Sequence, residues 1–219
     1  MNLEQQSFES ARSKGDWPDT VVKAVTFVNS CQQMRKFDAA ISCLTKLLPD
    51  VEKDMGQYAV VLTALGTAYW EKAQLQKALD KFEEALPLFR QTDDKAGVKA
   101  ILSIVGITYW RKCEWNRALE ILEDALSIET DRDERFASLY GAFDRGFATL
   151  QNRIRLGREL EKPIKILQPL FSSTALHLIE GNMGAFKTSL EESESLAKQI
   201  GHSDILKATL GISKLASQV

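Results

Sequence analysis

The sequence predicts an all-α protein built as a solenoid, a stack of antiparallel helix pairs. Three observations support this fold class. Residues 66–72, Gly-Thr-Ala-Tyr-Trp-Glu-Lys, return as Gly-Ile-Thr-Tyr-Trp-Arg-Lys at 106–112, a spacing of 40 (106 − 66). Glycine and proline, at 12 and 5 of 219 residues, fall between segments of helical period. No stretch alternates polar and apolar residues for the length of a useful strand. A period of this length indicates stacked units, because one helix pair cannot bury its apolar face alone.

Each clear repeat contains two different helices. In the first helix one face is apolar and carries a glycine, and in the second helix small residues alternate with a large one. We expect the glycine to let the helices approach closely while the large residue fills the space beside it. The first-helix faces are Leu62, Leu65, Gly66, Tyr69 and then Leu102, Val105, Gly106, Tyr109; the second-helix faces include Ala78, Phe82, Ala85 and then Ala118, Leu122, Ala125.

These positions resemble the signature of the tetratricopeptide repeat (TPR) family, in which Leu65-Gly66-x-x-Tyr69 is followed by Ala78, Phe82 and Ala85. The resemblance implies a right-handed superhelix with a concave groove that binds peptide segments of other proteins. The family's usual repeat is shorter than 40 residues. The longer period resembles the long-helix variants of kinesin-light-chain-like and Pins-like adaptors and of peptide-sensing bacterial regulators.

The chain is predicted to form a single TPR-like solenoid domain over 1–219. It divides into a weak repeat at 18–58, clear repeats at 59–98 and 99–138, and degenerate repeats with a C-terminal helix at 139–219. Pro18 or Asp19 is expected to open the first repeat, and Asp131 or Asp133 the helix that runs to Ile154. We further expect the helical pattern to be interrupted at Gly157, Pro163 and Pro169. Helices are expected over 170–179 and 185–200, and a last helix through Leu206, Leu210 and Leu215.

The positions that the repeat signature leaves free on the first helices form what we call the inner stripe. By the family resemblance this stripe lines the concave groove, where small residues beside a tryptophan would make shallow pockets for an apolar or aromatic anchor. It comprises Val60, Thr63, Thr67, Trp70, Ala100, Ser103, Ile107, Trp110, Tyr140, Phe143 and Phe147.

Three occupants of the groove stay open at this point. A partner's peptide or amphipathic helix is one, the chain's own residues are another, and a second copy of the chain in a homodimer is the third. Trp115 is different, because its position in the repeat is one of packing between helices.

Five basic residues form a cluster beyond the clear repeats, and we call them the basic cluster: Arg153, Arg155, Arg158, Lys162 and Lys165. The stretch 132–165 holds eight basic and five acidic residues, a net charge of +3. Such a patch suits an anionic partner, either an acidic segment or nucleic acid. The interpretation as a solvated helix face is favoured, because no aromatic stacking pattern is interleaved with it.

Net charge and amino-acid composition reduce the number of possible functions further. A net charge of −2 and a pI near 5.8 give no overall attraction to nucleic acid or to anionic membranes. Only two histidines are present and neither has nucleophile or metal spacing, so we expect no enzyme, metal or cofactor. Three scattered cysteines favour a reducing, cytoplasmic location. The sequence therefore predicts an adaptor or scaffold that binds another protein; the alternatives are a peptide- or ligand-sensing regulatory repeat and, last, a nucleic-acid-binding repeat.

Overall fold

The computed structural model describes residues 3–218, and within that range it has eleven α-helices, one 3-10 helix and no strand. The all-α repeat fold is thereby confirmed. Residues 1, 2 and 219, the ends of the predicted 1–219 domain, lie outside the described residues. The helices are α1 (Leu3–Lys14), α2 (Trp17–Gln33), α3 (Phe37–Val51), α4 (Met55–Glu71), α5 (Leu75–Gln91), α6 (Lys95–Arg111), α7 (Trp115–Leu126), the 3-10 helix (Glu134–Phe136), α8 (Ala137–Glu159), α9 (Pro163–Ile179), α10 (Met183–Ile200) and α11 (Ser203–Ala216).

The described residues group into two compact units. The first unit holds the residues up to 101 together with 129–142, and the second holds 102–128 together with the residues from 143 onward. The divisions fall inside α6 and inside α8. That the chain is one solenoid domain remains a prediction.

In the first unit each helix from α1 to α5 packs on the helix that follows it, and α2 also contacts α4. Helix α1, which the sequence analysis did not predict, is held in place because Arg12 forms an ion pair of 2.5 Å with Asp50 of α3. Helix α2 begins at Trp17, and the Asp16 carboxylate caps it by accepting from the Asp19 N–H at 3.3 Å.

The repeated glycine is a point of close helix approach. A Cβ atom on Gly66 would lie 2.5 Å from the fully buried ring of Phe82, so α4 and α5 can meet only because this position has no side chain. The equivalent contact recurs in the second unit, where a Cβ atom on Gly106 would lie 2.6 Å from Leu122. The two glycines therefore have the packing role that the sequence predicted.

Most turns between helices share one geometry. After α4, Ala73 has φ 62°, and the Gln74 N–H donates to the Tyr69 carbonyl at 2.9 Å, which satisfies a carbonyl that the end of the helix leaves unpaired. The left-handed position recurs about once per helix, in the turn that follows it. Several residue types occupy it, although only glycine adopts this conformation without strain. Its occupants are Gly15, Arg35, Ala73, Asp93, Cys113, Glu161, Gly181 and Gly201.

The second unit is built around α7, α9, α10 and α11. Helix α9 packs on α10 and α10 on α11, while α7 contacts both α9 and α11. The contact between α7 and α11 is close, because a Cβ atom on Gly211 would lie 2.5 Å from the Leu119 side chain.

The predictions that the helical pattern is interrupted at Gly157 and at Pro169 are wrong, because α8 runs through Gly157 to Glu159 and α9, from Pro163 to Ile179, contains Pro169. Pro163 opens the helix, where its missing N–H is no loss. Pro169 leaves the Lys165 carbonyl without its helical donor. Helix α8 approaches at this point, since a Cβ atom on Gly157 would lie 3.0 Å from the Lys165 carbonyl oxygen.

Candidate interaction surfaces

The inner stripe is closed on α4. Val60, Thr63, Thr67 and Trp70 are all buried, with Trp70 the most exposed at 5%. The 3-10 helix contacts both α2 and α4. It belongs to residues 129–142, which return to the first unit after α7 and which we call the return segment. The return segment therefore occupies space beside α4 that an open groove would leave to a partner.

Polar and aromatic contacts hold the return segment against the first unit. The Arg135 guanidinium donates to Asp94 at 2.7 Å and to Asp133 at 2.6 Å. Donation to the Asp133 carboxylate raises the pKa of Arg135 further above its ordinary value, against the opposing effect of burial. Burial alone would raise the pKa of Asp133, but its hydrogen bonds with Arg135 outweigh that effect and the pKa is lowered. The Phe136 ring packs edge-on against Phe89 at 5.5 Å.

Two other inner-stripe residues of the first unit lie near or within this segment. Ala100 is buried at 1% exposure. Tyr140 is half-buried, and the Arg132 guanidinium lies 4.8 Å from its ring centre. The sequence assigned Tyr140 to the binding surface, but it belongs to the return segment that occupies the first unit.

In the second unit Trp110 is covered by α9. Its side chain is 2% exposed, its ring centre lies 4.8 Å from that of Phe171, and its indole Nε1 donates to the Phe171 carbonyl at 3.1 Å. Trp115 is half-buried and meets the same Phe171 ring edge-on at 6.0 Å. The packing position predicted for Trp115 agrees with this contact.

The remaining inner-stripe residues of the second unit are also enclosed. Ser103, Ile107 and Phe143 are buried, and Phe147 is half-buried with its ring centre 4.7 Å from that of His177. Across both units nine of the eleven inner-stripe residues are buried. This burial supports the alternative in which the chain fills its own groove, and binding of a partner at the inner stripe stays a prediction.

All five residues of the basic cluster are exposed. Arg155 pairs with Glu159 on its own helix at 2.5 Å, and Arg158 pairs with Glu192 of α10 at 2.6 Å. Lys162 and Lys165 form no ion pair with any residue of the described chain. Part of the cluster is therefore neutralised within the fold, and the two lysines beside the start of α9 are free for an anionic group.

A second surface was missed by the sequence analysis. A cleft of about 520 Å³ lies between the start of α9 and the α10–α11 turn, and we call it the edge cleft; it is lined by Pro163, Ile164, Ile200, Gly201, His202 and Ser203. Ile164 and Ile200 are 42% and 36% exposed. Ile164 follows the helix-opening Pro163 and lies three residues before the buried Leu167, so in the sequence it is indistinguishable from the buried face of α9.

The histidines and Cys43 lie in surroundings that set their hydrogen bonding or their pKa. His202 caps α11 by accepting from the Ile205 N–H at 3.5 Å, and burial lowers the pKa of His177. Burial also raises the pKa of the Cys43 thiol to about 12, which suppresses thiolate chemistry there. Among the described residues no group of three or more histidine, cysteine or acidic side chains is placed to hold a metal ion.

Comparison with known proteins identifies a repeat region within the chain. Residues 57–130 match the family model described as tetratricopeptide repeat, and the matched span covers α4 to α7. This part of the chain is a tetratricopeptide repeat region, as the sequence signature indicated. The comparison with curated proteins found no match.

Two solved structures are similar to most of the chain. One is BtubC (BKLC) from P. vanneervenii, with a TM-score of 0.54, 18% identity, and coverage of 97% of this chain and 86% of that one. The other is a putative kinesin light chain with nearly identical TPR-like repeats from Podosopora anserina, with a TM-score of 0.44, 16% identity, and coverage of 80% and 94%. The first likeness supports the all-α repeat fold. No helix within residues 3–218 has the length and apolarity to cross a membrane.

Proposed function

We propose that the protein is a non-catalytic interaction module, an adaptor or scaffold that binds a peptide or an amphipathic helix of another protein. The observation that carries this proposal is the tetratricopeptide repeat over residues 57–130, because repeats of this family generally mediate protein–protein interactions. A cytoplasmic location is part of the proposal, since Cys31, Cys43 and Cys113 are free thiols.

The partner is proposed to bind residues that are exposed while the return segment is in place. To bind α4 where the 3-10 helix contacts it, a partner would have to displace that helix and with it the ion pairs of Arg135 and the packing of Phe136 on Phe89. An exposed surface needs no such rearrangement, and binding without reorganisation keeps more of the interaction energy as affinity.

Selection from a library of displayed short peptides tests this function with the full chain. The expected result is one recurring motif that binds with micromolar affinity and one-to-one stoichiometry in calorimetry. The matched control is Gly66→Trp, because a side chain at this position collides with the Phe82 ring and separates α4 from α5. Failure to enrich any motif would contradict the proposal, and equal enrichment by the Gly66→Trp variant would assign binding to a surface that does not depend on the packing of α4 against α5.

A second candidate is a regulatory repeat that senses a peptide or other ligand. The return segment favours it, because a ligand that takes the place of the 3-10 helix would shift the first unit between two arrangements. Hydrogen exchange of residues 129–142 separates the two functions. Faster exchange when the selected peptide is bound would indicate a sensor, and unchanged exchange would indicate a static module.

A further inference from the structure

We infer that the edge cleft is the docking surface, and that its occupant is an acidic segment of a partner protein that carries an aliphatic or aromatic side chain. This inference rests on the proposed function and names the surface and the partner chemistry for it. The cleft lies wholly within the second unit and does not require the return segment to move.

Two exposed hydrophobic side chains line the cleft. Of the eight large hydrophobic residues that are exposed in the described chain, Ile164 at the start of α9 and Ile200 at the end of α10 border it, and Leu156 and Leu160 come shortly before α9 in the sequence. Clustered exposed apolar groups mark interaction sites, whereas single ones are ordinary. Leu210 is such a single case, 72% exposed on the outer face of α11.

The cleft is a shallow depression of about 520 Å³ that is open to solvent over much of its surface, so it suits a side chain laid across it rather than an enclosed ligand. Ile164 and Ile200 stand on different helices that border the cleft, so an apolar side chain placed between them would remove both from water.

The charge around the cleft selects an acidic partner. Residues 160–165 and 198–207, which contain the cleft, include four basic and two acidic residues, a net charge of +2, in a chain whose net charge is −2. The basic residues are Lys162, Lys165, Lys198 and Lys207, and the acidic ones are Glu161 and Asp204. Lys198 is paired with Glu194, but Lys162 and Lys165 have no acidic partner in the described chain.

The start of α9 supplies hydrogen-bond donors beside these lysines. Helices α9 and α11 begin at the cleft while α10 ends there at Ile200, so the partial charges of these helix ends offset one another in part. No side chain caps α9 at Lys162, so its first-turn N–H groups have no side-chain acceptor. A carboxylate that follows the inserted apolar side chain would meet both the lysines and these donors.

The test uses the full chain and two panels of short labelled peptides. In the first panel one leucine or phenylalanine stands among aspartate and glutamate residues, and in the second panel lysine replaces the acids. Fluorescence anisotropy should show that the acidic panel binds more tightly, and that this binding weakens as salt concentration rises.

Two cleft variants and two matched controls locate the binding. Ile164→Ser combined with Ile200→Ser should weaken binding of the acidic panel by about tenfold, since it removes the apolar anchor site. Lys162→Glu combined with Lys165→Glu should weaken it by about fivefold and favour the lysine panel. Leu210→Ser and Lys187→Glu, which change exposed residues outside the cleft, should have no effect.

Each contrary outcome has a distinct meaning. If acidic peptides bind the native chain and both cleft variants equally, the cleft assignment is overturned while the interaction function stands. Tighter binding of the lysine panel overturns the partner chemistry. A concentration-dependent dimer that the paired isoleucine variant abolishes would assign the cleft to a second copy and overturn the inference. Absence of binding by both panels and by the displayed library would remove the proposed function as well.

Discussion

Replacement of Trp110 by alanine tests whether the inner stripe of the second unit is closed. The indole is 2% exposed, packs on the Phe171 ring and donates to the Phe171 carbonyl. Removing a buried aromatic side chain of this size costs about 3–5 kcal/mol, because the cavity collapses only in part. Since a native domain has a free energy of unfolding of about 5–15 kcal/mol, the variant should lose a large share of its stability.

Urea unfolding followed by circular dichroism measures the loss. Trp110→Phe is the matched control, because it keeps a ring against Phe171 and removes only the N–H donor, at a cost of about 0.5–1.5 kcal/mol for the hydrogen bond plus a smaller packing loss. Trp115→Ala should cost less than Trp110→Ala, as its side chain is half-buried. A loss below about 0.5 kcal/mol for Trp110→Ala, the range of ordinary surface substitutions, would refute the packing and return this residue to an open groove.

Four further substitutions test the fold through its free energy of unfolding. Gly66→Ala should lower it by about 1–3 kcal/mol, because the added methyl group overlaps a fixed ring, whereas Gly184→Ala in α10 has open space and should raise it by about 0.5–1 kcal/mol. Ala73→Gly should raise it by about 1 kcal/mol, since φ is 62° there; an unchanged value would argue against that turn geometry. Asp133→Asn should destabilise the protein above pH 3.8. Contact with Arg135 lowers the pKa of Asp133 in the folded state below 3.8, so the stability that Asp133 contributes is present above pH 3.8 and is lost as the pH falls through the folded pKa. The difference in free energy of unfolding between the native protein and the variant should therefore disappear in acid.

The central repeats were predictable because their packing depends on a glycine. Gly66 and Gly106 recur with a spacing of 40, and each meets a large side chain of the following helix at a distance that no other residue type allows. A constraint of this kind leaves a visible mark in the sequence. It explains why the pattern that predicted the helix pairs and the matched family model cover nearly the same residues.

The turns and the first helix were less predictable. Five of the left-handed turn positions in the described chain hold a residue other than glycine, among them Arg35, Ala73 and Glu161, so a search for glycine misses them. Helix α1 has only Phe8 and Ala11 buried, which is too short an apolar pattern to detect. Pro169 lies inside α9 and Gly157 lies inside α8, so neither residue type marked a helix end at these positions.

The closed inner stripe could not be read from the stripe itself. Small residues beside a tryptophan suit an open pocket and a packed interior equally well, and the difference depends on segments far away in the sequence. Phe171 lies 61 residues from Trp110, and Arg135 lies 41 residues from Asp94. Such contacts follow from the irregular connection after α7, where the repeat pattern ends.

The accessibility of Trp70 and Trp110 tests the central claim, a closed inner stripe with partner binding elsewhere, most directly. In a variant with Trp17→Phe and Trp115→Phe these two are the remaining tryptophans. We predict blue-shifted fluorescence that acrylamide quenches weakly and that acidic peptides at the edge cleft leave unchanged. Solvent-like emission with strong quenching, which the bound peptide then suppresses, would contradict the account and assign binding to the groove.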